Sequence, residues 1–280
     1  MQVAVLGASG FVGGHLVRRL RARGDEVKTG PLRDPQAAAS LVNGCDAIVN
    51  LAGEPLAQKW TDDVKHSIET SRTSLPHAFL NAVKSIERKP RIYVSASAVG
   101  YYGTSLDATF TESSRPGTDF LAHVCVGWER EAERASELGM RVACIRSGIA
   151  LGKDGGAMEK LLPPFKIGAG GRVGNGKQWY SWVHIEDLVG AYELALDGLS
   201  GAINATAPNP VRNKDFTHAL GKALHRPTIF PIPHVAIAAV LGEGSVTVTE
   251  GQRVLPERLL ESDYTFKFPT IDAAFADILH

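Results

Sequence analysis

Three glycines, in the string Gly7-Ala8-Ser9-Gly10-Phe11-Val12-Gly13, carry the plainest chemistry in this chain, and the apolar run Val3-Ala4-Val5-Leu6 leads straight into them. A buried strand that turns on glycines into a helix is suited to a nucleotide diphosphate. Gly7 permits the tight turn, Gly10 lets the backbone approach the phosphates, and Gly13 lets the helix pack close to the strand. The helix then offers its unpaired first-turn N–H groups and the positive end of its dipole to the anion. Gly7, Ser9, Gly10, Phe11 and Val12 are the expected contacts; the alternative is a glycine turn with no ligand. Further on, residues 28–34 hold Lys28, Arg33 and a single acid, Asp34. NAD-preferring folds place an acid here on the ribose hydroxyls, whereas an arginine grips a 2′-phosphate. Arg33, with Lys28 as a helper, therefore argues for NADP(H) over NAD(H), unless both are solvated surface charges.

These residues need a scaffold, and the pattern supplies one. After the turn, Leu16, Val17 and Leu20 share a helical face, Gly24 stands at a C-terminal cap, and residues 26–29 read as a second strand. Strands are expected again at 47–51, 91–95 and 141–145. Helices are expected over 62–86, kinked or divided by Pro76, and over 128–138, ended by Gly139. This alternation predicts an α/β Rossmann-type, doubly wound parallel sheet covered by helices on both faces. Ligands on such sheets bind beyond the carboxyl ends of the strands, so residues 7–13, 50–54, 95–103 and 146–152 are expected to converge on one crevice. Past residue 152 the rhythm loosens and prolines accumulate, with helices expected at 213–224 and 271–279. The expected division is a dinucleotide-binding domain over 1–152, with sheet elements near 178–206, and a smaller α+β lobe over 153–280. The glycine-rich segment 168–176 is either a substrate-side lid or a flexible connector.

The GxxGxxG spacing, with Asn50-Leu51-Ala52-Gly53 and the serine-rich strand end at 95–97, resembles the extended short-chain dehydrogenase/reductases. A narrower set, including Gly53-Glu54-Pro55, Ser71-Arg72, Ala98-Val99-Gly100-Tyr101-Tyr102-Gly103, Trp128-Glu129, Arg146-Ser147-Gly148, Leu162-Pro163-Pro164-Phe165 and Gly251-Gln252-Arg253, resembles the atypical branch called epimerase family proteins. That branch is NAD-dependent epimerase/dehydratase-like with its own C-terminal domain, and the likeness runs through nearly the whole chain. One departure is visible: between Thr29 and Ala47 the chain is short, where family members usually carry a further strand. The resemblance implies cofactor contacts from Leu51, Ala52, Gly53, Glu54, Arg72, Ser95, Cys125 and Gly148. Arg72 would touch a phosphate or pair with Glu54.

The superfamily also implies a serine and a Tyr-x-x-x-Lys pair, in which lysine and the oxidised nicotinamide lower the phenol pKa. No tyrosine here has a lysine four residues later; the place for the motif holds Leu121 and Cys125. Ser97, with Ser95 as the near alternative, aligns best with the catalytic serine. Tyr101 and Tyr102 follow on the same loop, and Tyr102 is the expected proton carrier unless both rings only pack. Two functions follow: an NADP(H)-dependent oxidoreductase or epimerase acting on a small carbonyl or hydroxyl compound, or an NADP(H)-binding sensor or scaffold without turnover.

Composition narrows the partners. Thirty basic and thirty acidic side chains cancel over 280 residues, which favours neither nucleic acid nor an anionic membrane surface. Three cysteines, 45, 125 and 144, suit a reducing compartment, and no metal-ligand spacing occurs. A cytoplasmic location, or an organelle matrix after loss of a targeting segment, and a possible homodimer complete the expectations.

Overall fold

A computed structural model describes residues 1–279. The chain opens with β1 (Gln2–Leu6), α1 (Phe11–Ala22), β2 (Glu26–Gly30), α2 (Pro35–Val42) and β3 (Ala47–Asn50). It continues through α3 (Asp62–Arg72), α4 (Ser74–Val83), β4 (Ile92–Ala98), β5 (Thr109–Phe110), α5 (Phe120–Glu133) and β6 (Arg141–Ser147). Then come β7 (Ile149–Gly152), β8 (Gly155–Gly156), α6 (Ala157–Lys166), β9 (Trp179–Tyr180), β10 (Trp182–His184), α7 (Ile185–Asp197) and β11 (Gly201–Ala205). The last part holds β12 (Val211–Arg212), α8 (Asn213–Ala223), α9 (His234–Leu241), α10 (Val246–Thr249), β13 (Arg253–Val254), α11 (Glu257–Glu261) and α12 (Ile271–Leu279).

Six strands form one parallel sheet in the order β11-β6-β4-β3-β1-β2, a Rossmann-type doubly wound arrangement. Its central strands are apolar on both sides because helices cover both faces. One face packs Val3, Val5 and Val49 against Leu16 and Leu20 of α1 and Leu188 and Tyr192 of α7. The other packs Leu6, Ile48 and Tyr93 against Ala38 and Val42 of α2 and Phe79 and Val83 of α4. A separate cluster around Trp182, Phe216 and Phe275 consolidates β10, α8 and α12. The winding reverses between β1 and β3, so the glycine turn and residues 51–54 flank the switch point where such sheets open a crevice.

The short segment between β2 and β3 holds α2 and no strand, which leaves β2 as the sheet's edge. The expected long helix is divided at Thr73 (φ −117°, ψ −67°), and Pro76 falls in the first turn of α4, where its missing N–H is tolerated. α5 starts eight residues earlier than the pattern suggests, at Phe120, because the Asp119 carboxylate caps the Ala122 amide at 2.9 Å.

Candidate active site: two clefts at the strand ends

The three glycines of the turn are needed for different reasons. Gly7 has φ +87°, and a Cβ there would lie 2.9 Å from the Leu51 carbonyl carbon and the Ala52 nitrogen. At Gly13 a Cβ would come within 2.4 Å of the Gly7 oxygen. Both are therefore demanded by the fold. Gly10 is not: its φ of −76° and ψ of 168° suit any residue, and a Cβ would meet only the Gly7 oxygen at 3.5 Å. What lies beyond Gly10 is a cleft of about 550 Å³, so the space its missing side chain leaves is space for a ligand. α1 begins there with no side-chain cap on its first amides. A dinucleotide fits this cradle.

Gly7, Ser9, Gly10, Arg33, Leu51, Ala52, Gly53 and Glu54 all line that cleft, joined by Thr29–Leu32 and Ser71 at its edges. Asn50 shapes the strand end, its amide donating to the Tyr93 hydroxyl at 3.1 Å and its oxygen accepting from the Ala52 N–H at 3.1 Å. Arg33 is exposed at the rim, while the Asp34 carboxylate beside it accepts from the Gln36 and Ala37 amides at 3.1 Å each. The one acid of this region is thus committed to capping α2. Lys28 lies outside the cleft lining. Phe11 and Val12 are not among the residues that line the cleft: the Phe11 ring packs against Gly152, Gly155 and Gly156, and Val12 packs against the core.

A second cavity, of about 340 Å³, opens at the carboxyl ends of β4 and β6. Its walls are Ala98–Gly100, the α5 face bearing Leu121, Cys125 and Trp128, residues 147–149, and Trp179–Ser181. Residues 243–252 of the C-terminal lobe close it. Cys125 and Gly148 belong here, and so does Arg72, whose Nη2 donates to the Glu54 carbonyl at 3.0 Å and so ties the two clefts together. Burial pushes the Cys125 thiol up to about 12, with Glu129 adding to the effect, so it is a neutral wall and no nucleophile.

Ser97 and Tyr102, the expected catalytic pair, line neither cleft. Ser97 is 2 % exposed and donates to Glu129 Oε1 at 2.6 Å. Arg146 grips the same carboxylate with Nε at 2.8 Å and Nη2 at 2.7 Å, and donates from Nη1 to the Tyr102 hydroxyl at 2.8 Å. Tyr102 in turn donates to Asn204 Oδ1 at 2.7 Å. Burial works against the Arg146 charge, yet the Glu129 carboxylate holds its pKa above the ordinary value. Burial pushes the Tyr102 phenol up to about 12 despite Arg146. This network fastens β4, α5, β6 and β11 together, so both hydroxyls, expected to act in catalysis, are held here in structural hydrogen bonds away from the two clefts. The residue that the end of β4 presents to the cavity is Ala98. Ser95 is also sealed, 1 % exposed, with its hydroxyl on the Ala96 carbonyl. Glu129, Arg146 and Asn204 carried no assigned role in the sequence; Glu129 and Arg146 fell within the resembling motifs, and the one physical signal of all three was a charged or amide residue inside an otherwise apolar strand or helix face.

Comparison with known proteins gives two family matches. Residues 3–205 match the NAD dependent epimerase/dehydratase family, and residues 232–278 match a domain of unknown function, DUF1731. The Arabidopsis thaliana protein named epimerase family protein SDR39U1 homolog, chloroplastic, is 41 % identical over 302 residues, covering 100 % of this chain and 87 % of its own. The Homo sapiens epimerase family protein SDR39U1 is 36 % identical over 293 residues, covering 100 % of both chains. A crystal structure of that human protein (isoform 2) with NADPH superposes with a TM-score of 0.92 at 34 % identity over 99 % of each chain. The Thermus thermophilus UDP-glucose 4-epimerase complex with NAD shares the fold, with a TM-score of 0.80 at 18 % identity over 100 % of this chain and 99 % of that one.

Proposed function

This chain belongs to the NAD-dependent epimerase/dehydratase family, and we propose that within it the protein is an NADP(H)-dependent atypical short-chain dehydrogenase/reductase acting on a small carbonyl or hydroxyl compound. The reading is carried by one observation: the cleft beyond Gly10 and the apolar cavity beyond Ala98 adjoin through Gly53, Glu54 and Arg72. A dinucleotide cradled in the first reaches the second. Bound NADPH would supply or accept hydride. The first-turn amides of α1 and the glycine turn hold its diphosphate. Arg33 grips the 2′-phosphate, because the neighbouring Asp34 is spent on its helix cap and cannot serve ribose hydroxyls. The NADPH in the human relative's structure supports the same choice over NAD(H). The apolar walls of the second cavity exclude water and hold the substrate. Three free, buried thiols agree with a reducing compartment, and no helix among the described residues is long and apolar enough to cross a membrane.

A specific observation favours the second reading, a binder without turnover: Ser97 and Tyr102 are locked in the structural network, and no Tyr-x-x-x-Lys pair replaces them. Calorimetric titration with NADPH and NADH, followed by a reductase screen over aldehydes and ketones, decides. NADPH preference that falls about tenfold or more in Arg33→Ala, as expected for loss of a charge-assisted contact, supports the cofactor assignment. Hydride consumption with any carbonyl supports the reductase; tight NADPH binding with none supports the binder; binding of neither nucleotide refutes both.

A further inference from the structure

Among the described residues, the large apolar side chains most open to solvent are Ile167 (81 %), Ile229 (76 %), Phe230 (78 %), Val235 (74 %) and Val240 (69 %); no other passes 50 %. All five lie on two segments, 160–177 and 222–242, that run side by side. Val173 bridges Ile232, the Ile232 N–H donates to the Arg172 carbonyl at 2.8 Å, and the Gly174 N–H donates to the Ile232 carbonyl at 2.9 Å. Between Val235 and Val240 runs α9, which has no buried residue and reads Val-Ala-Ile-Ala-Ala-Val-Leu after His234. A helix apolar on every side ordinarily lies within a core or in lipid. Backbone bonds hold this one on the outside at both ends, through Ile232 and through the Trp60 N–H on the Leu241 carbonyl at 3.2 Å.

The same two segments hold six lysines and arginines and no aspartate or glutamate. Lys166, Arg172 and Arg226 are exposed and take part in no ion pair among the described residues. The neighbouring acids are already engaged: Asp272 lies 4.0 Å from Lys222, and Glu243 pairs with Lys65 at 2.8 Å. Charge that cancels over the whole chain is therefore uncancelled on this face. That excess decides what can cover it. A two-fold contact with a second copy would press one basic rim against another. An anionic lipid surface answers both the apolar side chains and the basic rim. Eight residues make a helix about 12 Å long, which lies in a bilayer's interface and does not span it.

We propose that α9, with Ile167, Ile229 and Phe230 beside it, docks the protein on the surface of an anionic phospholipid bilayer. The apolar side chains enter the headgroup boundary, and Lys166, Arg172 and Arg226 face the lipid charge. The inference goes beyond the NADP(H) reading and does not depend on it.

The experiment sediments the full chain with sucrose-loaded vesicles, either of phosphatidylcholine alone or of equimolar phosphatidylcholine and phosphatidylglycerol. Binding about tenfold or more tighter to the anionic vesicles, weakening as salt is added, is expected. Phe230→Ser/Val235→Ser should weaken it about tenfold or more, as should Lys166→Gln/Arg172→Gln/Arg226→Gln. Brominated lipid in the anionic vesicles should quench the fluorescence of Phe230→Trp more than that of the wild type. No binding to anionic vesicles, equal binding to both kinds, or binding unchanged in the serine pair overturns the proposal. So does a wild-type dimer in solution that the serine pair abolishes, since the face then belongs to a second copy. If the serine pair does not fold, equal quenching in Phe230→Trp and the wild type overturns it.

Discussion

Gly10→Ala separates ligand space from structural space in the glycine turn. The backbone at Gly10 is already in an extended conformation open to alanine, and the added Cβ would sit 3.5 Å from the Gly7 oxygen, an ordinary contact. At a helix N-cap, alanine is worse than glycine by about 0.5 kcal/mol, and the stiffer unfolded chain returns a similar amount. Stability should therefore stay within about 0.5 kcal/mol, or about 2 °C in melting temperature for a chain of this size. Binding should not survive so easily. The methyl group stands where a diphosphate approaches the first-turn amides, and two lost charge-assisted hydrogen bonds at about 1.5–3 kcal/mol each weaken NADPH at least about 100-fold. Gly13→Ala is the control, because its Cβ would come within 2.4 Å of the Gly7 oxygen, so the turn must move and stability should fall by about 3 kcal/mol. Thermal melts and NADPH calorimetry on the two variants provide the comparison. A Gly10→Ala protein that binds NADPH as the wild type does, or melts as low as Gly13→Ala, would refute the reasoning.

Three further outcomes are expected. Glu129→Gln leaves Arg146, 4 % exposed, without its counter-charge, and should lower stability by about 3–5 kcal/mol, or roughly 10 °C in a melt. Ser97→Ala removes one hydrogen bond to that carboxylate and should lower stability by about 1.5–3 kcal/mol while NADPH affinity is unchanged; a selective loss of turnover at unchanged stability would return Ser97 to the reaction. His184 is buried against the Phe268 ring at 3.9 Å, its Nδ1 accepts from the Glu186 amide, and burial holds its pKa below the ordinary 6.5 although Asp277, Asp187 and Glu186 pull it upward. Its neutral form is the folded form, so its contribution is complete above the ordinary histidine range and is lost as pH falls through it, when the unfolded chain takes up the proton first. His184→Asn keeps a capping side chain and should flatten the fall in melting temperature between neutral and mildly acid pH; an unchanged slope would exclude His184 as its source.

The phosphate turn was legible because strand, glycines and helix are contiguous and each glycine answers to local geometry. The place of Arg33 at the cleft was legible for the same reason, being three residues beyond β2, whereas the capping role of Asp34 needed coordinates. The partners of the two hydroxyls were not legible because they are set at long range. Ser97 meets Glu129, 32 residues on, and Tyr102 meets Asn204, 102 residues on, so nothing local in the serine-rich strand end announces that it is also a seam between elements. The closing wall at 243–252 has no periodicity to announce it; Gln252 reaches Val99 across 153 residues. Pro76 marked the division of the long helix but not its position, because proline breaks the chain upstream of itself.

The missing strand has an electrical consequence. With β2 outermost, nothing of the sheet stands between Arg33 and bulk solvent, so the positive charge at the cleft rim is shared with mobile counter-ions. The Debye length is about 8 Å at physiological ionic strength and about 3 Å at 1 M salt. On the proposed reading, discrimination between NADPH and NADH at such a rim should depend on the medium as well as on the pocket: widest in dilute buffer and narrowing as salt is added, while a diphosphate held by the enclosed turn should be affected less.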